Sequence, residues 1–293
     1  MRITDLTESY LRYVIQQDHP ARYEADFPEL FEHYYTFWAQ PQAYAFRDSK
    51  QVIARRDLLL ERLPLLAERF ERNGLEAGDI DVVIFVGHGT SNGHAFHARG
   101  RWTVWLPLET YGSSQAVDIF GSHEIAHALH YQQQPDFYFK DEKEKNQVFR
   151  QLVTEGIATL ISKEILGLSD EQALWADYLP FEHIQRWYAA CRKRERELFR
   201  LVADTLPYSD KQNPLFSFSP SEDVSKNRAG YYVGLVLIER YARRQGLGDL
   251  FAISKEEFWQ FVKGELYGTL YDQESAAKPI AESVERSKFN NKT

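Results

Sequence analysis

The sequence predicts an α+β chain, mainly helical, with a small mixed sheet ahead of a helix that carries His123-Glu124-Ile125-Ala126-His127. Three observations lead there. Apolar residues recur at three- and four-residue intervals over most of the chain, which is the signature of amphipathic helices. Between residues 81 and 108 the pattern changes to short apolar runs bounded by glycine, as buried strands read. The pattern H-E-x-x-H then sets two imidazoles one turn apart on one helical face.

Composition bounds the rest. The 293 residues are 43% hydrophobic and 14% aromatic, enough for the core of one large domain or two small ones. A net charge of −8 argues against general binding to nucleic acid or to an anionic membrane. The single cysteine, Cys191, excludes an intrachain disulfide and a cysteine-based zinc cluster. No apolar run approaches the ~18 residues of a membrane span, and Met1 to Glu8 lack a secretory apolar stretch. A cytoplasmic chain with no membrane partner is therefore expected. We divide it into a helical segment 1–76, a core 77–270 and a polar, disordered tail 271–293.

Residues 1–76 read as helices. Tyr10, Val14 and Ile15 share one helical face, and Pro28 to Trp38 is dense in aromatics that suit a core. A longer helix runs from about Ser49 to Asn73 and stops at Gly74. In it Leu58, Leu59, Leu63, Leu66 and Phe70 recur at helical spacing, and Pro64 is a kink point. Asp81 to Gly87 is a buried strand. His88 to Gly100 is loop-like around the Asn92-Gly93 turn signal, with a short strand at His94 to Ala98. Arg101 to Leu108 is the next strand. Asn92 to Phe96 is the candidate sheet edge, where an extended peptide can add as a strand; this nominates Asn92, Gly93 and His94 as substrate-binding residues.

The H-E-x-x-H helix is capped by Ser113 or Ser114 and meets no proline before Pro135. Gly121 is its weak point, costing roughly 1 kcal/mol against alanine. His123 and His127 can hold one Zn²⁺, and Glu124, about 100° round the helix, can take a proton from water beside the metal. A lone five-residue match also arises by chance, so a third ligand matters. Asp141 to Gly167 reads as one long helix, with capping-box spacing at Asp141 and Glu144 and glycine at its end. Glu155 sits mid-helix, and its same-face neighbours Ala158, Thr159 and Ser162 are small enough for another helix to come close. His88, His94 and His97 are spaced too loosely for a second metal site and read as loop and edge-strand histidines lining a cleft. His130 is a hydrogen-bonding or surface residue rather than a fourth ligand, because a catalytic zinc keeps an open position.

Beyond Gly167 the chain is helical again. Phe181 to Leu206 reads as a helix whose run Arg192 to Glu197, mixed in sign, is a solvated face. Pro207 to Ala229 is an irregular loop and a potential lid. A helix spans Ala229 to Arg244, another spans about Lys255 to Tyr267, and from about Ser275 the chain is polar.

H-E-x-x-H followed by a helix carrying Glu155-Gly156-Ile157-Ala158 resembles the gluzincin metallopeptidases. Gly230-Tyr-Tyr-Val-Gly234 is similar to a segment of uncharacterised families of predicted zinc-dependent proteases. The resemblance implies a zincin-like fold, Zn²⁺ bound by His123, His127 and Glu155, and Glu124 as catalytic base. It also implies an oxyanion donor on a helix beyond the glutamate ligand. Helix phase favours Tyr231, which shares its stripe with Gly234, Leu235 and Ile238; Tyr232 is second and Arg228 third, and ordinary packing is the alternative for both tyrosines. We list Tyr232 with the substrate-binding residues. The chain departs from the family in the longer interval between His127 and Glu155. It also has Thr159 where several members place an aspartate that orients a zinc-ligating histidine. The expected activity is zinc-dependent hydrolysis of a peptide or protein substrate, with no nucleic-acid partner. The rival readings are a non-catalytic binding or regulatory protein on the same scaffold, and a zinc hydrolase of a non-peptide amide.

Overall fold

The computed structural model describes residues 1–209, 213–218 and 223–276. Strand β1 (Arg2–Asp5) opens the chain, followed by helix α1 (Thr7–Ser9), which runs into a π-helical stretch Tyr10–Gln16. Helices α2 (Pro20–Glu24), α3 (Pro28–Phe37) and α4 (Ser49–Arg72) precede strands β2 (Asp81–Phe85), β3 (His94–Ala98) and β4 (Arg101–Pro107). Then come α5 (Ser114–Gln133), α6 (Glu142–Lys145), α7 (Val148–Leu166) and α8 (Asp170–Trp175). Helices α9 (Phe181–Lys193), α10 (Glu195–Thr205), α11 (Ala229–Gln245) and α12 (Lys255–Ala276) complete the described chain.

The sheet is mixed, in the order β1-β2-β4-β3. β1, β2 and β4 are parallel, and β3 is antiparallel to β4. β2 is buried at every residue, which accounts for its unbroken apolar run. On one side Phe85 and Trp105 meet Phe31 and Tyr34 edge-on, so the aromatic density of the N-terminal segment is largely core. Helix α5 packs on β3 and β4, with α4 laid along it. Gly121 belongs to that contact: a Cβ there would meet Leu66 Cδ1 at 3.0 Å. The Arg62 guanidinium donates to the Asp118 carboxylate at 2.9 Å across the same pair. No helix among the described residues is long and apolar enough to cross a membrane.

Several expectations are corrected. The segment 1–76 is not wholly helical, because Arg2–Asp5 pairs with Asp81–Ile84 as the outer strand. Four residues carry too little period to declare a strand, and their partner lies far along the chain. The helix read from Ser49 to Asn73 is found as α4, with Pro64 inside it as expected. The single helix read from Asp141 to Gly167 is two, broken at Asn146 and Gln147. At the break the Val148 and Phe149 amides donate to the Tyr208 and Leu206 carbonyls, and buried Arg150 donates to the Glu144 and Lys145 carbonyls. The helix read from Phe181 to Leu206 likewise breaks at Arg194, whose guanidinium reaches Glu197 and Asp223. The charge run stays exposed or half-exposed, but it is shared between two helices instead of lying on one. Residues 271–276, assigned to a polar tail, continue α12; the rest of the tail and parts of the Pro207 to Ala229 loop lie outside the described residues.

Candidate metal centre and cleft

Helix α5 begins at Ser113, whose hydroxyl accepts the Ala116 amide at 3.0 Å. It carries His123, Glu124 and His127 under the sheet. Helix α7 crosses α5 and brings Glu155 to the two histidines. His123 Nε2 lies 3.1 Å from Glu155 Oε2 and 3.1 Å from His127 Nε2, and His127 Nε2 lies 3.5 Å from the same carboxylate oxygen. Ligand atoms of one tetrahedral zinc, bound at ~2.0–2.2 Å, sit roughly 3.3 Å apart, and these three gaps bracket that spacing. Two neutral imidazoles and one carboxylate are also the donor set that zinc takes. The residues fit the ion.

The electrostatics divide the two histidines. Burial pushes both imidazoles toward neutrality; for His123 it prevails, while for His127 the facing Glu155 carboxylate outweighs it and raises the pKa. Glu155 resists its own burial and stays well below the usual carboxylate range, held there by His127 and His123. Burial raises the Glu124 carboxyl to about 7, against the pull of His127 and with the help of Glu155. Glu124 Oε2 and His127 Nδ1 are buried without a hydrogen-bond partner among the described residues. Thr159, buried at the cleft, supplies no carboxylate to His127.

Gly93 explains how Glu124 is held. Its φ is +156°, and a Cβ would meet Glu124 Cγ at 2.8 Å. The loop before β3 therefore lies against the glutamate side chain, and only glycine lets it. That loop is tied down from several sides. Glu109 accepts the Gly87 and Gly89 amides at 3.0 and 2.9 Å, Tyr34 Oη pairs with Thr90 at 2.9 Å, and the Tyr111 hydroxyl donates to the Asn92 carbonyl.

Asn92, Gly93, His94, Glu155 and Tyr231 line one cleft with His123, Glu124 and His127. Tyr231 reaches it through a glycine crossing. A Cβ on Gly156 would meet the Gly234 backbone at 2.7 Å, and one on Gly234 would meet the Leu152 carbonyl at 2.6 Å. Helices α7 and α11 thus touch backbone to backbone beside Glu155, with Tyr231 one turn before the contact.

Tyr232 is a correction. Its hydroxyl donates to Glu195 at 2.6 Å and its ring packs on Tyr188, so it points away from the cleft. The expected sheet edge is present, since β3 is the outer strand of the sheet; the rings of His33 and Phe139 pack on the Phe96 and His94 side chains, which are buried on one face of that strand. His88 pairs with Tyr35 at 3.1 Å and His97 is exposed against Trp102, so of the three loop histidines only His94 reaches the cleft. His130, read as polar or surface, is fully buried against Phe137, and neither ring nitrogen has a partner among the described residues.

Sequence reading missed Trp38, Phe120 and Tyr178 in the cleft wall. Trp38 stood among core aromatics. Tyr178 follows Ala176, whose φ of +47° turns the chain so that the tyrosine stacks on Phe120 at 4.4 Å. A non-glycine left-handed residue has no sequence signal.

A family model described as predicted Zn-dependent protease (DUF2268) matches residues 79–260, more than half of the chain. The chain belongs to this family. The matched span includes the three metal-site residues, Glu124 and Tyr231. No curated protein and no solved structure matches the chain.

Proposed function

We propose that this member of the predicted Zn-dependent proteases hydrolyses peptide bonds with a zinc ion held by His123, His127 and Glu155. The observation that carries the reading is Glu124. It is buried beside the tripod, it stands outside the three-residue group that could hold the ion, and its Oε2 has no hydrogen-bond partner among the described residues. A purely structural metal site has no use for such a carboxylate, and burying one unpaired is costly. The bound zinc would supply Lewis acidity, lowering the pKa of its water to roughly 7 and polarising the scissile carbonyl.

The chain's own residues do the rest. Glu124 accepts the proton of the attacking water and delivers it to the leaving nitrogen. The close approach of Gly93 fits the loop against the Glu124 side chain. Tyr231, on the opposite wall, donates a hydrogen bond to the oxygen that gains charge. Asn92, Gly93 and His94 form the substrate-facing wall on the sheet side.

Glu124→Gln tests the reading, because it keeps the shape and removes the base. The variant should bind zinc as wild type does and lose hydrolysis of a peptide library by roughly 10²–10⁴-fold. Equal turnover by the two proteins removes Glu124 from the mechanism. A zinc-loaded wild type that cleaves nothing in the library favours a binding module instead.

A further inference from the structure

Arg228 is the cleft residue that the hydrolysis of a bond does not use. It stands at the start of α11 with φ +57°, a left-handed conformation that costs a non-glycine residue free energy. Its guanidinium lies 4.8 Å from the centre of the Trp175 ring and 4.2 Å from that of Tyr231. Its Nε is buried and has no hydrogen-bond partner among the described residues. Other half-buried arginines of this chain form ion pairs, as Arg62 does with Asp118 and Arg194 with Asp223. Here two aromatic faces orient the cation and a planar fork is left toward the cleft.

Its position gives that fork a use. Arg228 lines the metal cleft, and with Tyr178 and Tyr231 it also lines an adjoining recess of about 440 Å³. That volume falls within the ~300–1,000 Å³ of small-ligand sites. The recess is walled by Phe216 and Phe218, the latter 60% exposed, and by Thr90 and Thr110. Among the described residues no acidic side chain lines it, whereas the cleft beside it holds Glu124 and Glu155.

We infer that Arg228 anchors a substrate carboxylate in this recess, so that the enzyme prefers peptides bearing a free C-terminal or an acidic side chain close to the scissile bond. This rests on the zinc-hydrolase reading. The anchor is a specificity determinant that acts in the ground state, unlike an oxyanion donor.

The test uses two thiols of one skeleton, 2-benzyl-3-mercaptopropanoic acid and its primary amide, titrated into zinc-loaded protein. Both present the same metal-binding sulfur and the same aromatic ring. The acid should bind roughly 10- to 100-fold more tightly than the amide, the scale of a charge-assisted pair. The ratio should fall to about one in Arg228→Gln and partway in Arg228→Lys, which keeps the charge without the fork. Melting curves identify any variant that misfolds, and the lysine variant then carries the comparison. A ratio of one in wild type overturns the anchor while leaving the zinc reading intact. If neither thiol binds a protein whose zinc content is confirmed, the metal-cleft reading falls and the anchor with it. Matched peptides then separate the two sources: loss of cleavage on C-terminal amidation marks a terminal carboxylate, and loss on Glu-to-Gln exchange within the peptide marks a side chain. A drop in kcat in Arg228→Gln with the acid-to-amide ratio unchanged makes Arg228 an oxyanion donor and overturns the inference.

Discussion

Glu155 is the residue on which the proposed metal centre turns. It belongs to a different helix from the histidines, and its carboxylate oxygen lies within 3.5 Å of both ring nitrogens. Purified protein should carry about one zinc per chain, and Glu155→Ala should lose most of its affinity, since a catalytic site needs three protein ligands. Elemental analysis after dialysis decides it; undiminished zinc in the variant removes Glu155 from the ligand set. The two adjacent tyrosines separate by role. Tyr231→Phe should lower kcat by roughly 10²-fold, the scale of one lost oxyanion donor, with zinc content and Tm nearly unchanged. Tyr232→Phe should do the reverse. It loses the hydrogen bond to Glu195, costs about 1 kcal/mol of stability and leaves turnover alone. Helix phase put Tyr231 on the inner stripe, and the cleft indeed receives it; what phase could not supply was the partner that draws Tyr232 away.

At the scale of elements, the crossing of α7 and α11 positions both Glu155 and Tyr231. Small residues on the Glu155 stripe suggested a close helix contact, but the contact with α11 is made by Gly156 and Gly234. Gly156→Ala would place a methyl 2.7 Å from the Gly234 backbone, which cannot rotate aside as a side chain can. The helices must separate, at roughly 1–3 kcal/mol for an overpacked core site. We expect a lower Tm, weaker zinc retention and a kcat loss that is not additive with Tyr231→Phe, because both changes act through the same displacement. A Gly156→Ala protein as stable and active as wild type would show that the crossing has slack. β3 lies at the sheet edge, and rings from α3 and from Phe139 pack on the side chains of its Phe96 and His94, so one face of that edge strand is core.

For the whole molecule, one apolar core runs from Leu6 to Leu266; it encloses His130 and packs against the half-buried His33. Burial lowers His33 to about 4, with Lys145 adding to it, and His130 to about 3, with His127 and Arg150 adding to it. Both are depressed from an unfolded value near 6.5. Below that pH the unfolded chain binds more protons than the native one, so stability is lost as pH falls from about 6.5 toward 3. Each histidine contributes a slope of up to ~1.4 kcal/mol per pH unit in that window. Urea titrations of metal-free protein at pH 7 and pH 5 should show the loss, and His130→Leu should flatten it. An equal pH slope in that variant would place the acid sensitivity elsewhere.

The sequence by itself determined the mainly helical α+β class, the H-E-x-x-H helix with its cap at Ser113, the buried runs of β2 and β4, and the nomination of Glu155. These are local properties: a period, a cap, or a fixed spacing within a few turns, which the chain expresses wherever it folds. The tertiary structure alone decided that Arg2–Asp5 is a strand, that the helix before Glu155 breaks at Gln147, and that rings from distant segments pack on one face of β3. It also decided that Tyr178, Trp38 and Arg228 share a cleft with the metal-site residues. Each of those depends on a partner distant in sequence, such as β2 for β1, the Tyr208 carbonyl for Val148, or His33 for Phe96. The free energy of such a pairing resides in the contact between two segments, and neither segment records it alone.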